Sequence, residues 1–219
     1  MAIVEVKDLV KTFPAHRSLR AVLRHPFDQP QTGVLNGVDL TLERQQIVGV
    51  LGSNGAGKTT LLKVIATLIA PTSGSVTVDG WDVETAIRKA RSSVAYCFTE
   101  ERSFYWRLTG RQNLEFFAAL RHVPPQTAGP SIERLAGRLG MADHLDRPFG
   151  TLSTGQRQAL AIMRGLIDEP SIVFMDEPTR SLDPISAGRL RRFVADVVVG
   201  ELGRTVVLAT HSMPEAEEL

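Results

Sequence analysis

An α/β fold, a mostly parallel sheet flanked by helices, follows from three features of the chain. Short apolar runs alternate with stretches of helical period. Two of those runs, 172–175 and 206–209, are apolar at every position, as strands buried on both faces are. Third, Gly52-Ser53-Asn54-Gly55-Ala56-Gly57-Lys58-Thr59 has the spacing G-x-x-x-x-G-K-[ST] and sits between an apolar run and a helical segment.

Residues 2–13 alternate as a strand, and 34–42 form a second, with Val38, Leu40 and Leu42 on one face. Between them, 16–33 sets Arg17, Arg20 and Arg24 against Leu19, Val22 and Leu23 and is stopped by Pro26. It is either a solvated loop or a contact for lipid headgroups or a partner. The run 47–51 is a strand and 60–69 a helix. Pro71-Thr72-Ser73-Gly74 turns the chain into a strand at 75–78, and Asp79-Gly80 turns it again. Residues 83–91 read as helical and 94–98 as a strand entering the core.

From 111 to 146, helical spacing (Leu114, Phe117, Ala118, then Ile132, Leu135, Leu139) is interrupted at Pro124-Pro125 and Gly129-Pro130, which predicts a small helical subdomain at about 101–165. A helix follows at 154–167, carrying Leu160, Met163 and Ile167. Another at 184–199 places Ile185, Leu190, Phe193, Val194 and Val197 on one stripe, with Arg189, Arg191 and Arg192 off it. Residues 214–219 begin an amphipathic helix of about a turn and a half, too short to be stable alone, so the expectation is a fragment of a longer chain.

A length of 219 residues gives one domain, 1–219, with a full core. A net charge of +1 excludes a global field for nucleic acid or an anionic membrane. The single cysteine, Cys97, reads as a small buried residue. No apolar run approaches the ~20 residues that span a bilayer, so a soluble protein, or one held at a membrane through a partner, is expected.

The glycine loop lets successive backbone N–H groups turn toward one point, and the helix that starts there adds its positive end. A polyphosphate belongs there. Lys58 reaches the terminal phosphates, the Thr59 hydroxyl takes a place on Mg²⁺, and Thr60 completes the nucleotide set. Asp176 and Glu177 leave the apolar strand at the end where open parallel sheets hold ligands. Asp176 suits the metal, and Glu177 suits orienting and deprotonating an attacking water.

Leu152-Ser153-Thr154-Gly155-Gln156 closely resembles the Leu-Ser-Gly-Gly-Gln signature of ATP-binding cassette ATPases, with Thr154 in place of the first Gly. The order of motifs agrees, and the resemblance covers essentially the whole chain. It implies a P-loop NTPase fold with an N-terminal antiparallel β part and a helical subdomain. The implied ligands are ATP and Mg²⁺. Ser153, Gly155 and Gln156 are then expected to face nucleotide held by a second ATPase domain, in a head-to-tail homodimer or heterodimer. Ser181-Leu182-Asp183 resembles the family's loop that crosses to the partner, and the same residues make a good helix start before Pro184. His211 resembles the switch histidine that contacts the terminal phosphate.

Phe13 is either the ring on which adenine stacks or core packing. Glu100, or else Glu101, takes the place of the family's Mg²⁺-sensing Gln. The mixture of Phe104, Tyr105 and Trp106 with Arg102 and Arg107 reads as the surface that couples to a membrane partner, as filling for the helical subdomain, or as a stack for single-stranded nucleic acid. The resemblance implies a separate transmembrane permease subunit, a place on the cytoplasmic face of the membrane without insertion, and no nucleic acid. The 16–33 insert and the 100–114 segment resemble exporters of drugs, lipids or polysaccharides. The alternative is a soluble cassette ATPase acting on ribosome or nucleic acid.

Overall fold

The computed structural model describes residues 2–15, 31–97 and 103–211. The 16–30 insert, Glu100, Glu101, Arg102 and the 214–219 segment lie outside them. Two four-stranded sheets form the frame. The first is antiparallel, ordered β2-β1-β4-β5, from β1 (Ala2–Pro14), β2 (Gln31–Glu43), β4 (Ser73–Val78) and β5 (Trp81–Asp82). The second is parallel, ordered β3-β8-β7-β6, from β3 (Ile47–Leu51), β6 (Val94–Cys97), β7 (Ile172–Asp176) and β8 (Thr205–Thr210).

Alternation along β7 divides the core. Ile172 and Phe174 pack with Leu62 and Ile65 of α1 (Lys58–Ile65) and with Val4, Val6 and Val78 of the antiparallel sheet. Val173 and Met175 face the other way, toward α5 (Thr154–Leu166) and the helical block. Burial on both faces is why this strand is apolar throughout. The α1 helix stops earlier than 69: Thr67 turns left-handed at φ 60°, and Arg91 of α2 (Ile87–Ser92) donates to its hydroxyl and carbonyl oxygens. Residues 83–86 precede α2 rather than belonging to it, since Asp82 ties them back through Glu84 N–H and Thr85 N–H.

The helical block holds α3 (Gly110–Leu120), α4 (Pro125–Leu139) and two short 3₁₀ turns. Pro124-Pro125 separates the helices as expected, but Pro130 does not break α4. Its ring removes one donor, and burial of Ala128, Ile132, Leu135 and Ala136 along one stripe outweighs that loss. The last long helix is also corrected. α6 (Pro184–Arg192) widens into a π-helix at Phe193–Glu201, and Ile185 is 68% exposed rather than in the stripe, while Leu190, Phe193 and Val194 are buried. Among the described residues no helix is long and apolar enough to cross a membrane.

Asp79 joins the two sheets at the end away from the glycine loop. It sits with Gly80 in a turn with positive φ at both residues, the hairpin geometry that Asp-Gly favours. Its carboxylate pairs with Arg44 and accepts from Ser93 Oγ at 3.0 Å and Ser171 Oγ at 3.1 Å. Burial raises its pKa, but the bonds from Arg44, Ser93 and Ser171 and the Arg44 charge outweigh that and hold it below the ordinary value. A depressed folded pKa means its contribution is complete above the unfolded value and is lost as pH falls below about 4. Asp79→Ala, which strands three donors and puts Ala at positive φ, should lower stability by about 3 kcal/mol in urea unfolding at pH 7. The difference from the parent should shrink as the pH is taken below about 4.

Candidate functional site

The glycine loop passes closest to its neighbours at Gly57, where it enters α1. Gly57 caps the helix at φ 88°, and a Cβ on it would lie 3.0 Å from the Val34 carbonyl oxygen and from Leu35. Lys58 Nζ folds back over the loop, donating to the Gly52 carbonyl at 2.6 Å and the Ser53 carbonyl at 3.0 Å. The Ala56 N–H donates to Ser53 O, which completes the turn.

Asp176 ends β7 beside α1, and its Oδ2 accepts from Thr59 Oγ1 at 2.7 Å and from Tyr96 Oη at 3.1 Å. Burial first, then the Asp176 charge and hydrogen bond, push the Tyr96 phenol well above its ordinary pKa, so it acts as a donor. Glu177 then turns left-handed at φ 51°, a conformation that costs a non-glycine residue about 1 kcal/mol. Its N–H donates to the Ala209 carbonyl at 2.9 Å, carrying the β7–β8 pairing one step past the strand. The turned backbone aims the carboxylate at His211, just beyond β8, with Oε1 and Nδ1 2.7 Å apart. Asn54, Gly55, Gly57, Lys58, Thr59, Thr60, Asp176, Glu177 and Arg180 all line one cleft of ≈ 470 Å³. An oxygen-only set, one hydroxyl and one carboxylate side by side, fits a hard divalent cation and not a soft one.

The remaining predicted residues are elsewhere. Ser153 caps α5 in a reciprocal box: its Oγ accepts the Gln156 N–H at 3.3 Å, and Gln156 Oε1 accepts the Ser153 N–H at 2.9 Å. Ser153, Gly155 and Gln156 line a second, separate groove of ≈ 790 Å³ with Leu182 and Ser186. Asp183 caps α6, accepting from the Ile185 and Ser186 N–H groups at 3.0 Å each and from Ser186 Oγ at 2.6 Å. Phe13 lies near the end of β1, about one-third exposed, with Lys11 Nζ 5.0 Å from its ring.

The aromatic run has a buried part and an exposed part. Phe104 is buried, stacked on Phe149 at 4.6 Å and meeting Phe117 edge-on, with the Arg164 guanidinium over it at 4.8 Å. Tyr105 and Trp106 are about half exposed: Tyr105 meets the exposed ring of Phe116 of α3 edge-on, one turn before exposed Leu120, and Trp106 packs edge-on against Phe149 with the Arg157 guanidinium over its ring. Fully buried Asn113 holds this loop, accepting from Tyr105 N–H at 2.8 Å and donating to the Tyr105 and Thr109 carbonyls. Cys97 is buried, and its thiol is pushed up to about 12 by that burial.

Three residues of this neighbourhood were not singled out from sequence. Tyr96 stands in an otherwise aliphatic buried strand, where a hydroxyl demands a partner. Asn113 interrupts the apolar stripe of α3. Arg180 follows the acidic pair too closely to be told from a loop residue.

The family model described as "ABC transporter" matches residues 35–180, more than half of the chain and the whole stretch from the glycine loop to the acidic pair. The chain belongs to the ABC transporter family. It carries the family's ATP-binding ATPase domain. It is 38% identical over 182 residues to the ABC transporter ATP-binding protein NatA of Bacillus subtilis, covering 83% of this chain and 73% of that one. It is 37% identical over 185 residues to the daunorubicin resistance ATP-binding protein DrrA3 of Streptomyces coeruleorubidus, covering 84% of this chain and 58% of that one. Among solved structures, CbiO1 of Clostridium perfringens, part of the ABC transporter complex CbiONQ, superposes with a TM-score of 0.78 at 26% identity. That match covers 96% of this chain and 79% of CbiO1. The chain has the P-loop NTPase fold, its antiparallel sheet opened by the N-terminal strands β1 and β2 and completed by β4 and β5 after the first parallel strand.

Proposed function

We propose that this ABC ATPase domain drives an exporter through a separate transmembrane permease at the cytoplasmic face of the membrane, and that it works as a head-to-tail dimer. The observation that carries the dimer is the division of the motif residues between two clefts of one chain: the phosphate loop, Asp176 and Glu177 in one, and Ser153, Gly155 and Gln156 in the other. Each cleft holds half of a nucleotide site. A second copy, turned about a two-fold axis, sets the α5 N-terminus of one chain against the phosphates held by the other.

The division of labour follows from the contacts. Loop N–H groups and Lys58 hold the triphosphate, and Lys58 leaves the Gly52 and Ser53 carbonyls to reach the terminal phosphate. Thr59 and Asp176 would hold Mg²⁺, which when bound neutralises phosphate charge. Glu177 takes a proton from the attacking water, and His211, bonded to it, fixes its carboxylate in line. Asp183, at the head of α6 beside Leu182 and Ser186 of the second groove, carries the contact across to the other chain's site. Phe13 offers a ring for adenine, and Glu100 replaces, in the sequence, the Gln that senses the metal in the family.

Export rather than import is supported by the drug-resistance relative, and a permease partner by a solved relative that belongs to a transporter complex. The docking face is the exposed Tyr105 and Phe116 ring pair with Leu120 one turn further along α3, apolar and aromatic on the outside of the helical block (about 101–165). Leu120→Glu with Tyr105→Ala should leave nucleotide binding unchanged and cut the membrane protein co-purified from detergent-solubilised membranes by about 10-fold. RNA or DNA recovered in place of a membrane protein would favour the ribosome or nucleic-acid reading.

A further inference from the structure

The metal-facing carboxylate has a second anchor. Tyr96 pairs with Phe174 across β6 and β7, and Phe174 and Asp176 share a face of β7, so Tyr96 points to the same side as Asp176 and α1. Its ring packs against the cluster under α1, and its hydroxyl reaches Asp176 Oδ2 at 3.1 Å, the same oxygen that Thr59 Oγ1 approaches at 2.7 Å.

The two donors are not equivalent. A hydroxyl has one proton and two lone pairs, so Thr59 can turn a lone pair to a cation, and its hold on Asp176 then depends on what the cation requires. Tyr96 comes from a neighbouring strand and belongs to no nucleotide-binding loop. Its hydrogen bond to Asp176 is set by the sheet register and persists whatever Thr59 does. A carboxylate at a strand end has a free χ2 rotation, and one bond from a rigid strand removes much of it.

We infer that Tyr96 is a positioning residue for Asp176, holding its carboxylate in the rotamer that receives a divalent cation beside the nucleotide. The inference rests on the Mg²⁺ role given above to Thr59 and Asp176. Tyr96→Phe keeps the ring and removes the hydroxyl that donates to Asp176, so metal affinity should fall while the cradle for phosphate stays intact.

The test is binding of Mn²⁺ to the full chain in the presence of ADP, read from the electron paramagnetic resonance of the free ion. Binding of a fluorescent ADP analogue in EDTA is measured in parallel. Tyr96→Phe should weaken Mn²⁺ binding by about 10-fold and leave metal-free nucleotide binding within about twofold of the parent. Tyr96→Met, the second hydroxyl-free variant, should behave alike. Mn²⁺ affinity within about twofold of the parent in either folded variant overturns the inference. So does an equal loss of metal-free and metal-bound affinity, which would make Tyr96 a packing residue only. A parent chain that takes up no Mn²⁺ with ADP would instead sink the metal reading of the site, and this inference with it.

Discussion

Glu177→Gln should retain nucleotide and slow its hydrolysis by about 10³-fold, equivalent to about 4 kcal/mol of barrier. The amide matches the carboxylate in size and still reaches His211 Nδ1, so the turn at Glu177 and the bond across to β8 survive. Only the proton acceptor is lost. Because ATP is then bound and not consumed, the ATP-loaded dimer should accumulate, which size-exclusion chromatography with and without ATP reads directly. A variant that turns over at the parent's rate would remove Glu177 from the role of general base and leave its bond to His211 as a structural one.

Lys58→Ala and Gly155→Asp should each abolish turnover, by different routes. Lys58 is the cation of the loop, so its removal weakens nucleotide binding by about 10²-fold, the worth of one or two charge-assisted hydrogen bonds. Gly155 lines the second groove, apart from the cleft that Lys58 lines. A Cβ there would meet Ser186 Oγ at 3.4 Å, an ordinary contact, and its φ is not left-handed, so the variant folds. Its added carboxylate would face the phosphates of the other copy and block closure through like charge. Nucleotide binding to the single chain should therefore be unchanged in Gly155→Asp and hydrolysis lost, a separation that equilibrium binding and phosphate release measure side by side.

The parts of the fold that could be read from residues alone are those governed by local chemistry. The strand at 47–51 agrees to the residue because the apolar run is closed by a glycine loop on one side. The strand at 172–175 gains only Asp176. The start of α6 was equally plain: Asp183 sits where its side chain accepts N–H groups of the following turn. What failed depends on distant partners. Pro130 stays helical because the stripe around it is buried under α3 and α5, which spacing cannot register. Ile185 fits the apolar stripe of α6 by period yet lies in its first turn, past the edge of the core.

The candidate site divides along the same line. Its glycine loop and acidic pair are short contiguous motifs, each carrying its own geometry. The Tyr96 bond to Asp176 arises from parallel pairing of strands some eighty positions apart, and nothing near Tyr96 in the chain announces it. Placement of Ser153 and Gly155 in a groove of their own is likewise a matter of tertiary arrangement, and it turns a motif list into a claim about two chains.

That claim is tested most directly by mixing the two inactive variants. In a mixed dimer, the Gly155→Asp chain supplies an intact Lys58 and the Lys58→Ala chain an intact Ser153 and Gly155, so one of the two sites is whole. An equal mixture should recover roughly a quarter of the parent rate of ATP hydrolysis, since half of the dimers are mixed and each has one good site. A mixture as inactive as its components, or a parent chain that hydrolyses ATP at full rate as a strict monomer, would contradict a site shared between two copies.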